Sequence, residues 1–294
     1  MKQKPSLKKI AKLLLKTAVT LGAIAYVVQQ IDFSELGSTI AAANWLWLAA
    51  AFVAFNASKI LSSVRLNRYF RLLEIDLSEK KNLILYYIGM FYNLFLPGGI
   101  SGDGYKIYLL NRAFHTGFKP LTQATLLDRV SGLAALLFLG ALLFLFSSFA
   151  ELYPLLVPVA ALGMLLDLPV TWLMTKKLFG RFLPIFRVTA WYAFGVQGLQ
   201  LLSALFIVYA LGMSDATVDY LTLFLVSSVV AVLPISIGGI GLRELTLLYG
   251  FELVGGDVNT AVSFSLLFFI ITLLSSLGGA FLKKPFPDAV APQQ

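Results

Sequence analysis

The sequence contains no cysteine and a single histidine, His115. Disulfides and thiolate metal sites are thereby excluded, and a histidine-cluster metal centre cannot be assembled. Charge is the next scarcity: only 13% of the 294 residues are Asp, Glu, Lys or Arg, about half the roughly 25% of an ordinary soluble domain. A water-facing surface cannot be built from that supply. The glycines near residue 100 are not followed by Gly-Lys-Ser/Thr and have no strand before them, which argues against a nucleotide loop and against ATP as energy source. No cofactor is expected.

What is abundant is apolar: 59% of residues are hydrophobic and mean hydropathy is +0.83. Runs of about 20 such residues, the length needed to cross roughly 30 Å of hydrocarbon as helix, recur along the chain. The bilayer is therefore read as the solvent. Six full spans are expected, at 13 to 31, 45 to 64, 120 to 149, 155 to 175, 188 to 211 and 258 to 281. The first carries a small-x-small pattern at Ala23-Ile24-Ala25 that resembles a cleavage site, but it is expected to be retained as a span.

The net charge of +8 is read as membrane sidedness rather than as affinity for nucleic acid. Basic residues cluster at Lys2, Lys4, Lys8, Lys9, Lys12 and Lys16, at Arg65, Arg68, Arg71, Lys80 and Lys81, at Lys176, Lys177, Arg181 and Arg187, and at Lys283 and Lys284. All of these are assigned to the cytoplasm, which puts both termini there. Arg112 and Lys119, after the first interrupted stretch, are assigned there too, so only Lys59, Lys106, Arg129 and Arg243 are left within the membrane.

Two further apolar stretches, 82 to 110 and 219 to 251, are interrupted by Leu96-Pro97-Gly98-Gly99-Ile100-Ser101-Gly102-Asp103-Gly104 and by Leu233-Pro234-Ile235-Ser236-Ile237-Gly238-Gly239-Ile240-Gly241. Proline and repeated glycine end a helix. The halves are short of a crossing, so each stretch is read as a re-entrant helical hairpin, the two entering from opposite faces. Residues 1–150 and 151–284 then share one order: span, span, hairpin, span. Three crossings per half invert the second copy, an arrangement recurrent in transporters. The expected architecture is an all-α integral membrane domain over 1–284, six spans plus two hairpins, with a short tail at 285–294.

Cations deep in a membrane are costly and mark a pathway or a site. Lys106 and Arg243 stand within a turn of the start of each returning half-helix, whose free N–H groups and partial positive charge suit an anion. Arg129 lies inside the third full span. Asp103, Asp128 and Glu244 are positioned to hold these cations, although neighbours on a helix point about 100° apart and pairing across hairpins is an alternative. Asp167, inside the fourth span without a local partner, is the candidate for proton coupling. Asn93, Ser101 and Ser236 are candidate substrate contacts at the breaks, Asn93 alternatively bonding freed carbonyls. Lys59, whose span ends close by, is read as snorkelling toward the cytoplasmic face or pairing structurally, which is also the alternative for Arg129. Tyr86, Tyr87, Phe91 and Tyr92 are read as packing the hairpin or anchoring it at the interface, and His115 as a solvated loop residue.

Asn93, the Leu96-Pro97-Gly98-Gly99…Gly102-Asp103-x-x-Lys106 stretch, Asp128-Arg129, and Leu233-Pro234-x-Ser236-x-Gly238-Gly239-x-Gly241-x-Arg243-Glu244 together resemble the lysylphosphatidylglycerol synthase transmembrane-region family. The resemblance covers essentially the whole chain. It includes standalone proteins and the flippase half of the bacterial multiple peptide resistance factor, and it implies a lipid translocator in a bacterial or archaeal inner membrane. One departure is Lys106 where that family usually shows arginine, which keeps the charge but loses the bidentate fork for phosphate. Only ten residues follow Lys284, so no soluble aminoacyltransferase domain is expected.

The expected function is therefore a flippase-like translocase for an anionic phospholipid or polyprenyl-phosphate-type lipid, not an enzyme. The expected partners are that membrane lipid and a separate lipid-synthesising enzyme. Two alternatives stay open: a head-group transferase using Asp103 as base, and a small-anion or solute transporter on the same scaffold.

Overall fold

The computed structural model describes residues 21, 22, 25, 29, 33–95, 100–213, 215–232, 241–283, 285 and 286. The expected first span thus lies outside the described residues apart from four helical positions, as do residues 96–99 of the first glycine-bearing break and 233–240 of the second. Every regular element among the described residues is helical. Helix α1 (Phe33–Ala42) precedes α2 (Trp45–Arg71), which starts at Asn44, whose side chain accepts from the Leu46 N–H at 3.0 Å. Then follow α3 (Glu79–Phe95), α4 (Ser101–Phe114) and α5 (Phe118–Leu145). After short helical turns come α6 (Val157–Leu178), α7 (Phe186–Ala210), α8 (Thr217–Val232), α9 (Leu242–Leu253) and α10 (Val258–Phe281). Asp257 starts α10 by accepting from the Thr260 N–H at 2.7 Å.

Among the described residues, five stretches are long and apolar enough to cross a bilayer: Trp45–Arg71, Phe118–Leu145, Pro154–Leu178, Gly180–Ala210 and Asn259–Phe281. They coincide with five of the six expected spans. One end differs substantially, because α2 continues past residue 64 through Arg65, Arg68 and Arg71. The outer helix α6 exposes Val159, Leu162, Leu165, Val170 and Leu173, and apolar surface of that extent is suited to lipid rather than water.

The interrupted stretches fold back on themselves. In the first pair, Tyr92 meets Tyr105 with ring centroids 4.5 Å apart, and Tyr86 meets Lys106, so α3 and α4 run antiparallel. Gly102 comes so close that a Cβ there would overlap the Gly89 carbonyl. In the second pair, Ser228 meets Arg243 and Tyr220 stacks on Phe251 at 4.5 Å, again an antiparallel register.

Packing between the two halves of the chain is reciprocal. Helix α3 of the first broken stretch packs on α10, the last span of the second half, while α8 of the second packs on α5, the last span of the first half. Helices α2 and α7, the second expected span of each half, form the largest interface and run antiparallel: Asn44 N–H donates to Ala210 O at 2.8 Å and Ser203 Oγ donates to Ala51 O at 2.9 Å. Phe55, Phe224, Phe264 and Phe268 fill the apolar core where both halves meet.

The close approach at Gly102 yields a test. Gly102→Ala should lower thermal stability in detergent by about 1–3 kcal/mol, because backbone rather than a flexible side chain must shift. Gly163→Ala on α6, where an added Cβ meets nothing within 4 Å, should leave the melting temperature unchanged or slightly raised.

Candidate functional site

The first turn of α4 carries Asp103 and Lys106 on one face, three residues apart. Lys106 Nζ lies 2.7 Å from Asp103 Oδ1, and Arg129 Nε, reaching from α5, lies 2.5 Å from Asp103 Oδ2. One carboxylate thus holds two cations, each oxygen engaged by a different one. The Lys106 side chain is almost fully buried at 6% exposure, whereas Arg129 keeps 41%. Gly89 of α3 makes the room, since a Cβ there would lie 3.1 Å from the Lys106 stem. The ammonium stands 5.1 Å from the centre of the Tyr86 ring, a residue read from sequence as packing or anchoring the hairpin.

Asp128 does not pair with its neighbour Arg129. It pairs with Arg65, whose Nε donates to Asp128 Oδ1 at 2.7 Å and whose Nη2 donates to the Asp128 carbonyl at 3.1 Å. The assignment of Arg65 to a cytoplasmic cluster is corrected here, because α2 carries it inward and leaves it 4% exposed. Gly132, one turn beyond Asp128, accommodates the guanidinium: a Cβ there would lie 3.4 Å from Nη2.

In the second half, Arg243 lies over aromatic rings, its guanidinium carbon 4.4 Å from the Phe268 centroid and 5.3 Å from that of Phe224. Its Nη2 donates to Ser228 Oγ at 3.2 Å, while its Nε is buried with no hydrogen-bond partner among the described residues. The expectation that Glu244 holds Arg243 is corrected. Glu244 Oε2 accepts from the Gly241 N–H at 2.7 Å and Oε1 accepts from Ser265 Oγ at 3.2 Å, so the carboxylate caps its own helix. Gly241 takes φ of 83°, which a side chain would resist.

The ends of the returning helices also differ from expectation. Gly102 N–H donates to Asn93 Oδ1 at 2.8 Å, just as Gly241 N–H donates to Glu244. An amide at each end is therefore already satisfied by a side chain, and the positive character of the region rests chiefly on Lys and Arg.

Two adjoining cavities gather these groups, of about 510 Å³ and 390 Å³. The first is lined by Arg65, Asp103, Lys106, Asp128 and Arg129, the second by Arg243 and Ser228, and both by Lys59, Tyr86, Asn93 and Gln200. Lys106, Arg129 and Arg243 thus border one connected region. Of the other expected site residues, Ser101 hydrogen-bonds to the Tyr92 carbonyl and Glu244 caps α9, neither lining a cavity. Ser236 lies outside the described residues. Asp167, on α6, is apart from both cavities, with Oδ2 buried and without a hydrogen-bond partner among the described residues.

Sequence reasoning missed Lys59, Arg65, Tyr86 and Gln200 as lining residues. The snorkelling assigned to Lys59 is corrected too, since its Nζ folds over the Phe55 ring at 4.4 Å and into the cavity region. Spacing gave no signal for them: six residues on a helix are about 1.7 turns, which sets Lys59 and Arg65 roughly 120° apart around α2.

These features define a polytopic all-α membrane protein with a charged cavity inside its bundle. The chain belongs to the family described as Lysylphosphatidylglycerol synthase TM region, whose model matches residues 13–279. That membership associates it with lipid metabolism or translocation in membranes. No curated protein and no solved structure matches the chain significantly.

The Arg65–Asp128 pair gives a second prediction. Arg65→Met strands a buried carboxylate and should cost about 3–5 kcal/mol of stability, whereas Arg65→Met combined with Asp128→Leu should recover most of it. Thermal melts of the two variants in detergent measure the difference.

Proposed function

We propose that the protein is a lipid translocase that moves an anionic, phosphate-bearing lipid between leaflets. One observation carries the reading: among the described residues, five cations, Lys59, Arg65, Lys106, Arg129 and Arg243, line the adjoining cavities against two carboxylates, Asp103 and Asp128. An apolar bundle retains such a surplus at a large desolvation cost unless an anion offsets it. The walls also include the apolar side chains of Leu126 and Val232, which are 49% and 59% exposed. That juxtaposition suits a ligand whose head is charged and whose tails stay in lipid.

In this reading the α3–α4 and α8–α9 pairs are re-entrant hairpins from opposite leaflets, and the two halves form an inverted repeat. The antiparallel α2–α7 pairing and the reciprocal packing of each hairpin on the other half support it. Both termini lie in the cytoplasm of a bacterial or archaeal cell, following the basic clusters. The transferase alternative is disfavoured by Asp103, since a general base must take up a proton and two cations already compete for the charge of this carboxylate.

Reconstitution tests the proposal. Purified protein in liposomes with labelled anionic phospholipid in one leaflet should accelerate its exchange, and Arg243→Ala should slow that exchange by about tenfold or more. Conversion of the lipid to a new chemical species would support the transferase, and solute uptake without lipid exchange the solute transporter. Reporter fusions at residues 34 and 216 should read outside and at residue 75 inside; a cytoplasmic signal at 216 removes the inverted repeat.

A further inference from the structure

The five cavity cations fall into two groups. Arg65, Lys106 and Arg129 each contact a carboxylate, whereas Lys59 and Arg243 have no ion pair among the described residues. These two share a support of another kind. The Lys59 ammonium stands 4.4 Å from the Phe55 centroid, Phe55 packs edge-on against Phe268 at 5.6 Å, and the Arg243 guanidinium lies 4.4 Å over Phe268. Phe224 completes the floor, 4.8 Å from Phe268.

An aromatic face holds a cation without neutralising it. Its quadrupole attracts the charge but supplies no lone pair, so the N–H donors directed away from the ring stay available. Arg243 Nε is buried and has no acceptor among the described residues. Both side chains border the same cavity, whose wall also offers Ser228, Gln200 and Thr272 as uncharged hydrogen-bonding groups. Glu244 contributes negative charge nearby, but both of its oxygens already accept hydrogen bonds.

We propose that Lys59 and Arg243, held on the Phe55–Phe268–Phe224 floor, form the phosphate-binding subsite of the cavity, and that the Asp103-centred cations beside it do not bind the phosphate directly. The inference deepens the translocase reading and rests on it for the lipid source of the phosphate. The phosphate chemistry follows from the donors: a guanidinium and an ammonium converge on one cavity, and a tetrahedral oxyanion accepts from several directions at once. Arg243 supplies the planar fork and Lys59 the mobile point charge.

The test is binding to full-length protein in neutral detergent, read by calorimetry and by melting temperature. The probes are dihexanoyl phosphatidate, as a soluble lipid phosphate, and inorganic phosphate. Phosphatidate should raise the melting temperature of the wild type, and Lys59→Gln and Arg243→Gln should each weaken its binding about tenfold or more, the loss of one charge-assisted contact. Lys59→Gln without ligand should melt no lower than wild type, because it removes an uncompensated charge. Lys59→Arg should retain binding, and Lys283→Gln at the exposed end of α10 should change nothing.

Unchanged phosphatidate binding in both glutamine variants overturns the subsite, as does loss of binding in Lys59→Arg, which would trace the effect to packing. Inorganic phosphate binding as tightly as phosphatidate overturns the lipid source. Failure of the two readings is separable: wild-type binding that both variants abolish, with no leaflet exchange in liposomes, removes translocation and leaves the subsite. Exchange that persists in both variants with unaltered binding removes the subsite and leaves translocation.

Discussion

A carboxylate taken out of water must find cations or give up its charge, and in this bundle two carboxylates determine how the central helices meet. Asp103 joins α4 to α5 through Arg129 while holding Lys106 on its own helix; Asp128 joins α5 to α2 through Arg65. The effective dielectric in such a region is far below that of water, so a displaced partner costs several kcal/mol rather than the fraction lost at a surface. Helix α5 therefore cannot rotate or slide without breaking one pair or the other. The contrast with Arg71–Glu79, whose side chains are 45% and 42% exposed, is one of environment, since that exposed pair has similar geometry and little energetic weight.

Fixing α5 in this way would achieve little if the broken helices could not approach it. Small residues provide the approach. Gly89 admits the Lys106 stem, Gly102 lets α4 touch the α3 backbone, and at Gly279 an added Cβ would overlap the Tyr87 carbonyl, so α10 lies directly against α3. Without a hydrophobic driving force between helices in lipid, association depends on such close packing and on hydrogen bonds between helices. Tyr87 Oη donates to Asn56 Oδ1 at 2.8 Å, and Asn56 Nδ2 donates to Ser275 Oγ at 3.0 Å, joining α3, α2 and α10. Each broken stretch is thereby set against the last span of the other half, and the cavities lie between those contacts.

How far this was readable from sequence follows from which signals are local. Five spans announced themselves because an apolar run long enough to cross hydrocarbon has few other uses, and the two interruptions did so because proline and clustered glycine cannot continue a helix. The Asp103–Lys106 pair was legible for the same reason, being three residues apart on one helix. Arg65 was not. Its partner is 63 residues away, and a reading based on distance from a span end naturally sends an arginine after residue 64 to the surface. Glu244 failed differently, since the sequence makes it equally a neighbour for Arg243 and an N-terminal cap, and only the positive φ at Gly241 and the position of Ser265 decide for the cap. Lys59 was misread because the aromatic ring that retains it lies on its own helix, yet nothing in the spacing tells an anchoring phenylalanine from a lipid-facing one.

The division of the cations into carboxylate-bound and aromatic-bound groups bears on what a carrier requires. A site that moves a charged head through hydrocarbon must bind it well enough to replace water, yet release it on the far side, so very strong fixed pairing is as harmful as none. Carboxylate-paired cations serve the first need poorly, because an incoming anion must compete with a bond of its own kind already formed at 2.7 Å. Aromatic support is worth only about 0.5–2 kcal/mol, enough to orient a side chain but too little to saturate it. A bundle holding both kinds of cation can use one for its own cohesion while keeping the other available to ligand. The same arrangement predicts where evolution of substrate preference can act without unfolding the protein: at the aromatic floor, where a changed ring alters the placement of Lys59 or Arg243 and leaves Asp103 and Asp128 with their partners.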